Sequence, residues 1–192
     1  MRTPMEEDLK VRTSKYMSYL LRHNPEDLKM NRHGFVHINE LLKKLRKRFP
    51  ADEELVLNIA RESERKRFEI VGGEIRALYG HTIPVELEFE EADDIAVLYH
   101  GTTPEVASKI LAVGLKSMKR QWVHLSPTIE LAIEVGMRRT RNPVILEIDA
   151  NAARRDGLRF YKATDKVYVC NAVPPRFLRK VTSTNHPPKR AS

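Results

Sequence analysis

Only one cysteine, Cys170, stands among the 192 residues. No disulfide can therefore form within this chain, and with no second thiol near the histidines neither a structural zinc site nor any other bound metal is expected. The ordinary reading of Cys170 is a small buried apolar residue. No apolar run approaches the length of about eighteen residues that a membrane span needs. The opening segment MRTPMEEDLK also lacks the apolar core of a signal peptide, so a cytoplasmic chain with no membrane partner is expected. Glycine is sparse, and nowhere does G-x-G-x-x-G follow a strand, which excludes a Rossmann dinucleotide site. Aromatic residues make up only 7% of the chain, so Trp122 and the tyrosines are assigned to packing rather than to base stacking. No internal repeat or low-complexity tract is visible.

What is present is basic charge and enough apolar content to fold. Thirty-four Lys and Arg against 26 Asp and Glu leave a formal charge of +8, and 41% of residues are hydrophobic. The excess favours a polyanionic partner such as a nucleic acid, without proving one. Against this background the stretch from Val85 to Asp94 stands out, carrying Glu86, Glu88, Glu90, Glu91, Asp93 and Asp94 and no base. It reads either as a linker or as an acidic strand in which Val85, Leu87 and Phe89 alternate with glutamates. Either way it divides the chain into lobes at 1–84 and 96–182, joined by 85–95, with a flexible tail at 183–192.

The first lobe reads as three amphipathic helices and a hairpin. The run Ser14 to Arg22 places Met17, Leu20 and Leu21 on one face, and Asn24-Pro25 ends that helix. Asn39 is the expected cap of a second helix, ELLKKLRKRF, and Asp52 that of a third, EELVLNIARES. Gly72-Gly73 between two β-rich runs is a two-residue hairpin signal. Three helices and a hairpin suggest a winged helix. The second lobe alternates short strands (Ala96 to Tyr99, Trp122 to Leu125, Val144 to Ile148, Val167 to Cys170) with helices from Pro104 to Gly114 and from about Pro127 to Arg138. The whole is α+β.

Four segments carry the chemistry: Leu20-Leu21-Arg22-His23-Asn24-Pro25, Arg65-Lys66-Arg67-Phe68, His100-Gly101-Thr102, and His124-Leu125-Ser126 followed by Val135-Gly136-Met137-Arg138. Their order and spacing resemble the RNA 2′-phosphotransferase family, also called tRNA 2′-phosphotransferase, along nearly the whole chain. Ile75-Arg76-Ala77, Gly80-His81 and Val173-Pro174 extend the resemblance. It implies an N-terminal winged-helix lobe and a C-terminal ADP-ribosyltransferase-like lobe that close on a shared cleft. It further implies catalytic residues Arg22, His23, Arg67 and Arg138, an NAD site at His100, Gly101, Thr102, His124, Leu125 and Ser126, and an RNA partner with an internal 2′-phosphate, a tRNA by family precedent. A monomer is expected. The implied activity consumes NAD: the 2′-phosphate is first ADP-ribosylated with loss of nicotinamide, and a ribose hydroxyl then takes the phosphorus as ADP-ribose 1″,2″-cyclic phosphate.

The residue types suit that chemistry. A phosphomonoester is already ionised at neutral pH and needs positioning more than deprotonation. Arginine's planar fork grips phosphate oxygens and stays charged. His23 titrates near the working pH and suits either a proton donor to the departing RNA oxygen or a phosphate ligand. Where many ADP-ribosyltransferases place a late-strand glutamate, this chain offers Val167 and Val169, which fits an anionic acceptor.

Blander readings exist for each residue alone. Arg22 and His23 at a helix end compensate the helix dipole, lone histidines after strands are usually structural, and Lys43, Lys44, Arg46, Lys47 and Arg48 form either a nucleic-acid patch or a solvated face. The rival functions are a one-step ADP-ribosyltransferase and a winged-helix nucleic-acid-binding regulator.

Overall fold

A computed structural model describes residues 3–62 and 66–181. The expected tail at 183–192, and Arg65, lie outside the described residues. The chain forms two compact units: Met1–Glu90 with Ser117–Trp122 and Lys162–Asp165, and Glu91–Lys116 with Val123–Tyr161 and Lys166–Ser192.

In the first unit α1 (Pro4–Arg22) starts ten residues earlier than the sequence reading placed it. Thr3 and Glu6 form a capping box, and Pro4 occupies the first turn, where its missing N–H costs nothing. Strand β1 (Val36–His37) leads directly into α2 (Ile38–Leu45). Asn39 is not the cap of α2, contrary to expectation: the helix starts one residue before it, at Ile38. The reason is tertiary. Strand β1 pairs with β3, and the Ile38 amide is taken by the Gly73 carbonyl at 3.0 Å, so no side-chain cap is required there.

Helix α3 (Glu53–Arg61) is capped by Asp52, whose carboxylate accepts from the Leu55 amide. Strands β2 (Phe68–Val71) and β3 (Glu74–Ala77) make the expected hairpin, with Gly72 at φ 56° and Gly73 at φ 82°. Those are left-handed angles that a two-residue turn of this hand demands and glycine supplies. The sheet order is β1-β3-β2, antiparallel. Met17, Leu20, Leu21, Leu41, Leu45, Ile59 and Ile75 are sealed inside this unit, each contributing about 1.5–3 kcal/mol by burial.

The acidic segment is not a loose tether. Its burial alternates as Val85, Leu87 and Phe89 turn inward, Glu86 donates its amide to the Arg32 carbonyl at 2.8 Å, and Phe89 meets Trp122 edge-on at 5.9 Å. Only Glu90–Glu91, strand β4, pairs as a strand.

The second unit continues with β5 (Val97–Thr102), α4 (Pro104–Val113), β6 (Leu115–Lys116), β7 (Val123–Leu125), α5 (Ile129–Gly136), β8 (Val144–Asp149) and α6 (Ala150–Arg155). Strands β9 (Tyr161–Thr164), which belongs to the first unit from Lys162 on, β10 (Val167–Cys170), β11 (Ala172–Val173) and β12 (Leu178–Lys180) follow. One three-stranded sheet has the order β12-β8-β5, while β7 pairs with β10 and β6 with β11, all antiparallel. Thr103 caps α4 and Gly114, at φ 90°, ends it. Helices and antiparallel sheets together make the chain α+β.

Candidate functional site

The end of α1 is built to hold Arg22 away from solvent. Gly80, at φ 89°, turns the chain over the helix terminus, and a Cβ there would sit 3.5 Å from the Arg22 side chain. Just beyond, the amides of Thr82 and Ile83 donate to the Arg22 carbonyl at 2.9 and 3.4 Å, satisfying an acceptor that a helix end normally leaves open. The guanidinium lies 4.8 Å from the Tyr79 ring centre and 6.0 Å from that of Phe68. Its Nε and Nη2 atoms are buried and find no hydrogen-bond acceptor among the described residues.

Burial, set against the Tyr79 hydroxyl and compounded by the charges of Arg120 and Arg67, lowers the Arg22 pKa to about 10. It therefore remains a cation at neutral pH. His23 caps the helix and pairs its Nδ1 with the Thr82 hydroxyl at 3.0 Å. Burial first, then the charges of Arg22 and Arg120, hold its pKa below the ordinary imidazole value. Arg67 opens the hairpin and donates from Nη1 to the Ser14 hydroxyl at 2.9 Å. The preceding Lys66 takes a left-handed φ of 40°, a mildly strained conformation for a side-chain-bearing residue.

Arg22, His23 and Arg67 thus come together in the first unit, and the ionisable groups that act on Arg22 there include no carboxylate. A buried donor without an acceptor costs about 1–3 kcal/mol, so a cation set with open donors is chemically matched to an anion.

Three neighbours of this cluster were not among the expected site residues, although Gly80-His81 belonged to the resemblance. His81 is 2% exposed, with neither ring nitrogen hydrogen-bonded among the described residues, and desolvation with the nearby Arg22 charge drives its pKa to about 4. Tyr79 and Arg120 are the others. Arg120 belongs to Ser117–Trp122, a segment of the first unit although it lies among second-unit residues in sequence.

The basic run expected on one helix continues past the end of α2 at Leu45, and most of it is committed elsewhere. Lys44 pairs with Glu26 and Asp27, Arg46 donates to the Ala51 carbonyl at 3.0 Å, and Arg48 covers the Tyr16 ring at 4.2 Å.

The second unit gathers the other expected residues. His100 lies inside β5, opposite Leu146, rather than at a strand end, because β5 continues to Thr102. Its Nδ1 is 3.1 Å from the His124 carbonyl, and Tyr99 and Ser126 exchange backbone hydrogen bonds at 2.8 Å. His100-Gly101-Thr102 and His124-Leu125-Ser126 are therefore neighbours across two strands. Thr102, Leu125 and Ser126 are buried.

Gly101 has a packing reason to be glycine. A Cβ there would fall 1.9 Å from the Ala132 carbonyl oxygen of α5, an impossible approach. Gly136, at the far end of α5, is likewise closed in by Pro143. Arg138 lies two residues beyond α5 instead of in its last turn, and is exposed. Cys170 is buried, and burial pushes its thiol up to about 12, which leaves it unreactive. Two surface hollows, lined by Glu6, Lys10, Asp52 and Asn58 and by Arg159, Tyr161, Asn171 and Pro174, include none of the expected residues. The arrangement of cations and open donors makes the first of these clusters the stronger candidate site. Among the described residues no helix is long and apolar enough to cross a membrane.

Fold and site together describe an α+β chain whose buried Arg22, with donors open among the described residues, is suited to a phosphate group. Comparison with known proteins narrows this. The model of the family "RNA 2′-phosphotransferase, Tpt1 / KptA family" matches residues 8–172. A Thermococcus kodakarensis protein named "Probable RNA 2′-phosphotransferase" is 44% identical over 167 residues, 85% of this chain and 93% of its own. Proteins of the same name from Pyrococcus abyssi and Acetivibrio thermocellus are 39% and 40% identical, covering 88% and 86% of this chain and 93% and 94% of theirs. The chain belongs to the RNA 2′-phosphotransferase family.

Proposed function

We propose that this chain moves an internal 2′-phosphate from RNA, a tRNA being the family's substrate, onto NAD. The observation that carries the reading is Arg22: a guanidinium buried beside Arg67 and His23, with Nε and Nη2 lacking any acceptor among the described residues. A phosphate dianion supplies what those donors lack. The three helices and the β1-β3-β2 sheet support a winged-helix lobe that takes the RNA. The pairing of His100, Gly101 and Thr102 with His124, Leu125 and Ser126 supports an ADP-ribosyltransferase-like lobe that takes NAD as co-substrate.

In the first step a 2′-phosphate oxygen bonds to the ribose carbon that carries nicotinamide, the carbon–nitrogen bond breaks, and nicotinamide leaves. Arg22 and Arg67 orient an oxygen that is already anionic, so no general base is needed. In the second step the adjacent ribose hydroxyl attacks phosphorus and the bond to the RNA 2′-oxygen breaks. Products are RNA with a free 2′-hydroxyl and ADP-ribose 1″,2″-cyclic phosphate. Arg67 and Arg138 stabilise the charge that builds at phosphorus. His23 gives the RNA oxygen its proton. Its depressed pKa in the free site rises once the dianion is bound, so the acid is charged when it is required.

The test is direct. The protein is incubated with NAD and an oligoribonucleotide carrying one internal 2′-phosphate, and nicotinamide, 2′-hydroxyl RNA and cyclic phosphate are followed. All three form in equal amounts if the reading holds. Nicotinamide release with retained ADP-ribosyl RNA identifies a one-step ADP-ribosyltransferase, and no product at all identifies a binding protein.

A further inference from the structure

Tyr19 is the one aromatic residue exposed to solvent among the described residues, at 42%. Tyr16, Tyr79 and Tyr168 are buried and pack, as the sequence suggested for all the tyrosines. Tyr19 departs from them without being loose. Its hydroxyl accepts from the Asn24 side-chain amide at 3.0 Å, and its ring lies nearly parallel to that of Tyr16, with 6.2 Å between the centres. Asn24 is fixed in turn, because its side-chain oxygen accepts from the Glu26 amide at 3.2 Å. The result is a flat aromatic surface whose orientation is set while part of it faces water.

The place of Tyr19 on α1 gives this surface a partner. Residues four apart lie on one face of a helix, about 6 Å along its axis, so Lys15, Tyr19 and His23 form one ridge, and all three are exposed. Arg22 stands on the adjacent ridge at the same helix end, and Arg67 is tied to that helix by its hydrogen bond to Ser14. A phosphate held by Arg22, His23 and Arg67 therefore brings the nucleotide that carries it to within about one helical turn of Tyr19. We propose that Tyr19 stacks a base of the RNA at or next to the nucleotide that bears the 2′-phosphate. Every base has a flat π-face, so such a contact adds affinity without reading sequence. Lys15, one turn further back, prolongs the ridge with a cation suited to the RNA backbone. The inference rests on the first unit's cluster holding the 2′-phosphate.

Its test uses three RNAs of equal length: one with an internal 2′-phosphate and every base present, one with the same phosphate but abasic at the phosphorylated nucleotide and its two neighbours, and one with every base but no 2′-phosphate. Dissociation constants are measured for the wild-type protein, Tyr19→Ala, Tyr19→Phe and Tyr19→Trp. Tyr19→Ala should bind the complete phosphorylated RNA about tenfold more weakly, the size of one base–aromatic stack. It should bind the abasic RNA as the wild type does, because the base that it would have stacked is already gone. Tyr19→Phe and Tyr19→Trp keep an aromatic face and should retain most of the affinity, although Phe loses the hydrogen bond from Asn24. A merely structural role would weaken both phosphorylated RNAs alike, and that result, or no weakening of either, overturns the assignment. If the wild type binds the RNA without 2′-phosphate as tightly as the complete one, it is the phosphate site itself that fails.

Discussion

The two units hold their candidate residues by opposite means. In the first, charge dominates: the charges of Arg67 and Arg120 act on Arg22, those of Arg22 and Arg120 act on His23, and two buried donors of Arg22 find no acceptor among the described residues. In the second, shape dominates: Gly101 lies against the backbone of α5, with buried hydroxyls at Thr102 and Ser126 and His100 bonded to a strand carbonyl. A buried guanidinium with open donors is under tension until an acceptor arrives, whereas a close-packed turn is already satisfied. Substitution of Arg22 or Arg67 should therefore cost chiefly activity, and substitution of Gly101 chiefly stability.

The largest expected effect is on turnover. Arg22→Ala removes a charge-assisted grip worth about 1.5–3 kcal/mol, and steady-state assays should show a fall of roughly a hundredfold or more with the unfolding midpoint little changed. Arg67→Ala and Arg138→Ala should slow the second step more than the first, so that ADP-ribosylated RNA accumulates in quenched time courses. Loss of NAD affinity alone, with no intermediate, would remove the role assigned to them.

Next comes Gly101→Ala. The added methyl meets the Ala132 carbonyl oxygen at 1.9 Å, and overpacking of that kind costs about 1–3 kcal/mol, read from urea unfolding. A fully stable variant would show that β5 and α5 are not so tightly apposed.

A smaller effect concerns acid. His81 has a folded-state pKa of about 4, below the ordinary imidazole value near 6.5. Folding therefore favours the neutral ring. The stability this represents is complete above pH 6.5 and is lost as the pH falls toward 4, by up to about 3 kcal/mol. Unfolding measured across that window should steepen with acid in the wild type and flatten in His81→Phe. The smallest effect belongs to Lys44→Ala, whose ion-pair partners Glu26 and Asp27 lie partly and largely in solvent. Little change in the unfolding midpoint and no loss of activity are expected; a large activity loss would return α2 to the binding surface.

What could be read from the sequence, and what could not, follows physical lines. Local signals were legible: Asp52 before α3, Gly72-Gly73 in the hairpin, Pro104 and Gly114 at the two ends of α4. The capping box of Thr3 and Glu6 was equally local and went unread, so α1 was drawn short. The start of α2 was not local at all, because strand pairing with β3 satisfies its first amide. Two-residue strands such as β6 and β11 carry no period to detect. Arg22, His23 and Arg67 were nameable from their motifs. His81 reaches that neighbourhood beside Gly80 and Thr82, and the segment that carries Arg120 reaches it through the hydrogen bond from Gln121 to His81, a link between positions about 40 apart that no spacing rule contains.

The central claim, that the first unit's arginines receive a phosphate, is tested most directly at His23. Its ring proton is titrated by NMR with and without a saturating ribonucleoside 2′-monophosphate. The account predicts a His23 pKa below the ordinary value in the free protein and a clear rise when the phosphate is bound, absent in Arg22→Ala. A bound ligand that leaves the His23 titration unchanged would contradict it.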